Sequence, residues 1–216
     1  MNNSDKIILD LCGGTGSWTK PYRDAGYDVR LVTLPDNDVR TYIPPDNVYG
    51  ILAAPPCTMF SFARTKANRP RDLKEGMQCV RACLDIIWSF MEVSQETEKK
   101  TLPLKFWALE NPYHGFLIRF LGKPAMVFNP YDFGDPYQKA TALWGYFKEP
   151  VKNPIELTEE QKAKAKTNST LHTLGTKFDH LKSKNIHPEQ YGKMDRQARR
   201  SITPAGFAEA FFKANQ

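Results

Sequence analysis

The sequence predicts an α/β domain built on a parallel sheet and carrying a small, irregular, basic subdomain. Three observations predict it. Short apolar runs at 7–11 (IILDL), 29–34 (VRLVTL), 48–54 (VYGILAA) and 104–109 (LKFWAL) alternate with segments of helical pattern, the order that builds parallel strands through crossover helices. The runs end on glycine, proline or acidic punctuation, and ligands of such sheets sit at the carboxyl ends of the strands. From 128 to 200 the texture becomes rich in Pro, Gly, Lys and Asn, with short strand candidates such as 142–147 (ALWGYF).

Taken in order, IILDL is a strand that breaks at the glycine-rich CGGTGSW, and 19–26 reads as a short helix ended by Gly26. The second and third strands follow, the third stopping at Pro55-Pro56. Residues 72–93 place Met77, Val80, Cys83, Leu84, Ile87, Trp88 and Met91 at helical spacing, with Gly76 a weak point. A polar connector, 94–101, leads to the fourth strand, which Glu110-Asn111-Pro112 closes. The last element, 203–214, is a helix with Thr203 as N-cap, Pro204 at its first position and Phe207, Ala210 and Phe211 on the face that packs back on the sheet. The division expected is 1–128 for the sheet domain, 129–200 for the subdomain and 201–216 for the closing helix.

Composition narrows the classes. A chain of 216 residues supports one core and a small appendage. With 41% hydrophobic residues and thirteen Phe it is not wholly disordered. It has no 18-residue apolar stretch for a membrane span and no signal-peptide pattern at MNNSDKIILDL. Four cysteines without an export signal point to reduced thiols in a cytoplasm, and Cys79 and Cys83, four apart, read as small core residues with no metal-ligand spacing. Residues 1–60 hold five Lys and Arg against seven Asp and Glu, whereas the remainder holds 25 against 17. That basic excess suits a polyanion partner.

Three constellations carry chemistry. Asp10, Cys12, Gly13, Gly14 and Gly16 stand where a strand turns into a helix, so backbone amides can approach a ligand, and the acid suits a ligand amine or hydroxyl better than a phosphate. Ala53-Ala54-Pro55-Pro56-Cys57-Thr58-Met59-Phe60-Ser61 puts one thiol on a proline-stiffened loop, a candidate nucleophile. Glu110-Asn111-Pro112 puts a carboxyl group at another strand end, where it can deliver a proton.

DLCGGTGSW resembles the cofactor loop, APPCTMFS the Pro-Cys loop and ENP the catalytic glutamate motif of the C5-cytosine DNA methyltransferases, in that family's order. The whole chain is similar to its small phage-type members, in a host cytoplasm. The resemblance implies a Rossmann-like fold with 1–128 as the catalytic domain that binds S-adenosylmethionine, and 129–200 as a reduced DNA-recognition subdomain. Asp10, Cys12, Gly13, Gly14, Gly16 and Trp18 would line the cofactor. Asp38 would contact the adenine, and Asp36 would stand in for the ribose-binding acid that Thr33 replaces. Cys57 would add to C6 of cytosine while Glu110 engages N3. Pro56, Ser61, Asn111, Gln138 and Lys139 would surround the base. The base must leave the duplex stack for that attack.

Arg64, Lys66, Arg69 and Arg71 in 62–74 would contact phosphates, as the charge of the loop suggests by itself. FGDPYQKATALWG resembles the family's glycine–proline–glutamine strand through Gly134, Pro136 and Gln138, but Lys139 and Thr141 stand where arginines would be. The Gly-Asn pair expected before the closing helix is missing. Across 161–200, Lys162, Lys164, Lys166, Lys177, Lys182, Lys184, Lys193, Arg196, Arg199 and Arg200 face Asp179, Glu189 and Asp195. Such a stretch grips phosphates and offers little to read bases, so short or relaxed specificity is expected. RNA cytosine, a free pyrimidine nucleotide, a group other than plain methyl, or a catalytically idle DNA-binding protein stay open as alternatives.

Overall fold

The computed structural model describes residues 2–64, 69–91, 104–135, 137–156, 158–159, 188, 192–194 and 196–216. They form a six-stranded, mostly parallel sheet with helices on both faces. Strand β1 (Ile7–Leu11) is followed by helix α1 (Lys20–Asp24) and β2 (Asp28–Val32). Then come β3 (Val48–Ala53), α2 (Leu73–Met91) and β4 (Phe106–Pro112). Helix α3 (Leu117–Leu121), β5 (Met126–Phe128), a 3-10 turn (Pro130–Phe133) and β6 (Thr141–Tyr146) complete the sheet. Helices α4 (Arg196–Ser201) and α5 (Ala205–Ala214) end the chain.

The spatial order is β2-β1-β3-β4-β6-β5, with the first four strands parallel and β6 antiparallel to both of its neighbours. The chain leaves β1 on one side to form β2 and returns to the other side to form β3. The crevice at the carboxyl ends of β1 and β3 is therefore the switch point of the sheet, where α/β folds bind ligands.

Alternation along the strands feeds two cores. Leu9, Leu11, Ile51, Ala53 and Leu109 meet Val80, Cys83 and Ile87 of α2 on one face. Ile8, Leu52, Phe106, Ala108 and Leu143 meet Trp18, Tyr22, Phe207 and Phe211 of the α1 and α5 layer on the other. Burial on both faces explains why these strands read as continuous apolar runs.

Four expectations need correction. Glu110, Asn111 and Pro112 are the last residues of β4 and not a closing turn, because β6 pairs with them as Glu110–Leu143, Asn111–Ala142 and Pro112–Thr141. Thr141–Tyr146 therefore belongs to the main sheet and not to a separate basic subdomain. Trp88 and Met91 are about half exposed, although the spacing put them on the buried stripe of α2. The buried face of α2 runs through Val80, Cys83, Ile86 and Ile87 to Phe90, which packs against the same core, so Trp88 and Met91 lie beside that face. Finally, Pro204 and not Thr203 is the N-cap of α5, in extended conformation with no side-chain cap bond. Among the described residues no helix is long and apolar enough to cross a membrane.

Candidate functional site

The turn after β1 is built over a buried acid. Asp10 is fully buried; its Oδ2 accepts from Thr19 Oγ1 at 2.5 Å, while its Oδ1 has no partner. Burial pushes its carboxyl up to about 6, against the opposing pull of Thr19 and Arg23. Gly13 lies directly on that carboxyl group, since a Cβ there would stand 2.2 Å from it, and Gly14 and Gly16 turn through positive φ. Cys12, also at positive φ, takes a thiol hydrogen bond from buried Cys83, which lowers the Cys12 pKa and raises that of Cys83. Cys79 packs beside them, and all four cysteines are free thiols.

The second strand end is the Pro-Cys loop. Asn111 Nδ2 donates to Pro55 O at 3.0 Å and Arg71 Nη2 to Ser61 O at 3.0 Å, while Arg71 Nη1 donates to Met59 O. Phe60 N and Ser61 N both donate to Cys57 O at 2.9 Å, closing the turn. Ala53 pairs with Leu109 across β3 and β4, so Cys57, four residues beyond Ala53, and Glu110, one beyond Leu109, share one end of the sheet. Lys139 Nζ lies 3.7 Å from Glu110 Oε1. Burial pushes the partly exposed Cys57 thiol up, Lys139 pulls it down, and Glu110 and Arg200 add smaller opposed effects.

The structure thus brings together Asp10, Cys12, Gly13, Gly14 and Gly16 at one strand end, and Cys57, Glu110, Asn111 and Lys139 at the next. Pro56 is exposed and Ser61 half-buried on the Pro-Cys loop, and Gln138 is half-buried before Lys139. Asp36 is exposed beyond β2, and Asp38 is held down to about 2 by Arg40, whose Nε bonds it at 2.9 Å.

Other expected members have different surroundings. Trp18 is 2% exposed and packed on Phe207 and Phe211, in the core instead of at the open end. Arg71 is spent on the carbonyls of the Pro-Cys loop, Arg69 on Glu75 and Arg64 on the carbonyls of Arg69 and Pro70. These guanidinium groups shape the loop before they can meet a phosphate. Lys66 and Pro136 lie outside the described residues, as do Lys162, Lys164, Lys166, Lys177, Asp179, Lys182, Lys184, Glu189 and Asp195.

Sequence reasoning missed three contributors. Thr19 is the partner of Asp10, and a hydroxyl nine residues past a strand-end acid carries no local signal. Arg71 appeared only as charge. The α4–α5 junction crosses the turn: Thr203 N donates to Ser17 Oγ at 2.9 Å, and Ser201 Oγ lies 3.9 Å from where a Gly14 Cβ would be.

Chemically, the first cluster offers an uncompensated buried acceptor beneath exposed turn backbone, which fits a ligand with a cationic amino group. The second offers a thiol and a carboxyl group at one sheet end, with the Lys139 cation beside the carboxyl group and near enough to act on the thiol. Among the described residues no group of His, Cys, Asp or Glu is placed to hold a metal ion. No family model and no curated protein matches this chain.

Proposed function

We propose that the protein transfers a methyl group from S-adenosylmethionine to C5 of cytosine in DNA. The observation that carries this reading is the placement of Cys57 and Glu110 at the ends of adjacent parallel strands, β3 and β4, the first of which lies next to β1 and its glycine turn at the switch point. The turn from Cys12 to Gly16, with Asp10 beneath it and Asp36 and Asp38 beyond β2, would hold the cofactor. Bound there, S-adenosylmethionine supplies an electrophilic methyl group.

Cys57 Sγ, as thiolate, adds to C6 of a cytosine that has left the stack. Glu110 hydrogen-bonds or protonates N3, which makes C6 electrophilic and turns C5 into the nucleophile that takes the methyl group. Water takes the C5 proton, Cys57 Sγ leaves as thiolate, and N3 gives back to Glu110 any proton it received, which restores the ring. Because burial raises the Cys57 thiol, the reactive thiolate fraction grows as pH rises, and the rate of addition rises with it.

The test is transfer of labelled methyl to DNA, with mass spectrometry of the hydrolysed nucleosides. Cys57→Ala removes transfer, and Glu110→Gln lowers it about 10²- to 10⁴-fold. Full transfer by Cys57→Ala sinks the covalent mechanism. Label found only in RNA or in free nucleotides reassigns the substrate.

A further inference from the structure

Phe62 follows Cys57 by five residues and is 48% exposed, with its ring open to a partner at the edge of the Pro-Cys loop. It does not hang loose. Its N–H donates to His114 O at 3.1 Å, and its ring meets Phe116 edge-on at 5.0 Å. Phe116 in turn carries the guanidinium groups of Arg71 and Arg119 at 5.0 and 5.2 Å from its ring centre. Phe116 N also donates to Phe60 O at 3.0 Å, and Ser61 bridges to Gly115. The segment bearing Phe62 is therefore clamped from both sides, with His114 exposed beside it and stacked edge-on with Tyr113 at 5.2 Å.

An exposed aromatic ring held rigid is what a nucleobase stacks on, because it supplies a face that every base matches. Rigidity matters, because a ring already ordered loses little freedom when a base covers it.

We propose that Phe62 is the stacking platform for the nucleobase adjacent to the cytosine that enters the Cys57 site, so that the substrate is a polynucleotide strand and not a free nucleotide. This rests on reading Cys57 as the point of cytosine entry. A neighbouring base exists only in a polymer, so the platform distinguishes a polynucleotide substrate from a monomer. Arg71 acts here as a positioning residue through its hold on Met59 O and Ser61 O.

The experiment measures affinity and fluorescence with a single-stranded deoxyoligonucleotide carrying 2-aminopurine next to its one cytosine. Wild-type protein quenches the fluorophore on binding. Phe62→Ala weakens oligonucleotide binding about 5- to 100-fold and removes the quench, Phe62→Trp restores both, and affinity for deoxycytidine monophosphate stays the same in all three proteins. Equal oligonucleotide affinity for wild type and Phe62→Ala overturns the proposal, as does an equal loss for the monomer. Methyl transfer is read in the same series. Phe62-dependent binding without transfer to any DNA defeats the methyltransferase reading and leaves the platform standing; transfer with a silent Phe62→Ala does the reverse.

Discussion

At the scale of single residues, the most expensive group is Asp10. A carboxylate this buried, with one oxygen unpartnered, destabilises the fold whenever it is charged. Burial pushes its carboxyl up to about 6 in the folded chain, above the ordinary 3.8 of an aspartic acid. Between those values the native state binds more protons than the unfolded state, so stability falls as pH rises from about 4 to about 6 and then levels off. The difference corresponds to something of the order of 3 kcal/mol. Asp10→Asn keeps an acceptor for Thr19 and abolishes the titration. Urea midpoints measured from pH 4 to 8 are expected to fall with pH in the wild type and to stay nearly level in the variant. Parallel profiles would mean that the carboxyl group is not strained. A group this costly fits a site where a ligand cation supplies the missing partner.

At the scale of elements, α5 closes one face of the sheet and is the clearest place to test packing. Phe207 is fully buried, stacks on Phe128 at 3.9 Å, and touches Phe133, Trp18 and Phe211. Phe207→Ala is expected to cost about 3–5 kcal/mol in urea unfolding, whereas Phe120→Ala, half exposed on α3, stays within about 0.5 kcal/mol. Equal costs would contradict the packing. The closing helix was legible because its aromatic residues recur at helical spacing, and β1, β3 and the core of β4 because strands buried on both faces are unbroken apolar runs. The three residues of β5 and five of α3 carried no such pattern. The extension of β4 through Pro112 was hidden as well, since it depends on pairing with β6 some thirty residues later. Local punctuation told where strands end when the next residues leave the sheet, and misled where a distant antiparallel partner keeps them in it. The same limit applies to the site. Cys57 and Glu110 were legible as strand-end chemistry, but the clamp that Arg71 puts on the Cys57 loop depends on tertiary contacts and looked from the sequence like free charge.

At the scale of the whole molecule, charge and topology divide the work. The first 60 residues, acidic by 2, supply β1, β2, β3 and the glycine turn, while the basic excess lies beyond them. Two ligands of opposite character would then bind through different parts of one sheet edge, and each part can be damaged alone. Gly13→Ala drives a Cβ to within 2.2 Å of the Asp10 carboxyl group, so the turn must deform. Arg200 is exposed on α4, close enough to the Cys57 thiol to pull its pKa down. At a concentration a hundred times its dissociation constant, S-adenosylmethionine would stabilise the wild type by about 2.7 kcal/mol, or about 5–10 °C in Tm for a chain of this size. Gly13→Ala is expected to lose that shift and to keep the salt dependence of DNA binding. Arg200→Gln is expected to keep the shift and to reduce the slope of log affinity against log salt by about one. Thermal scans and salt titrations on the two variants decide the matter. If either substitution removes both responses while circular dichroism is unchanged, the two ligands share one set of contacts, and the division of the molecule by charge is wrong.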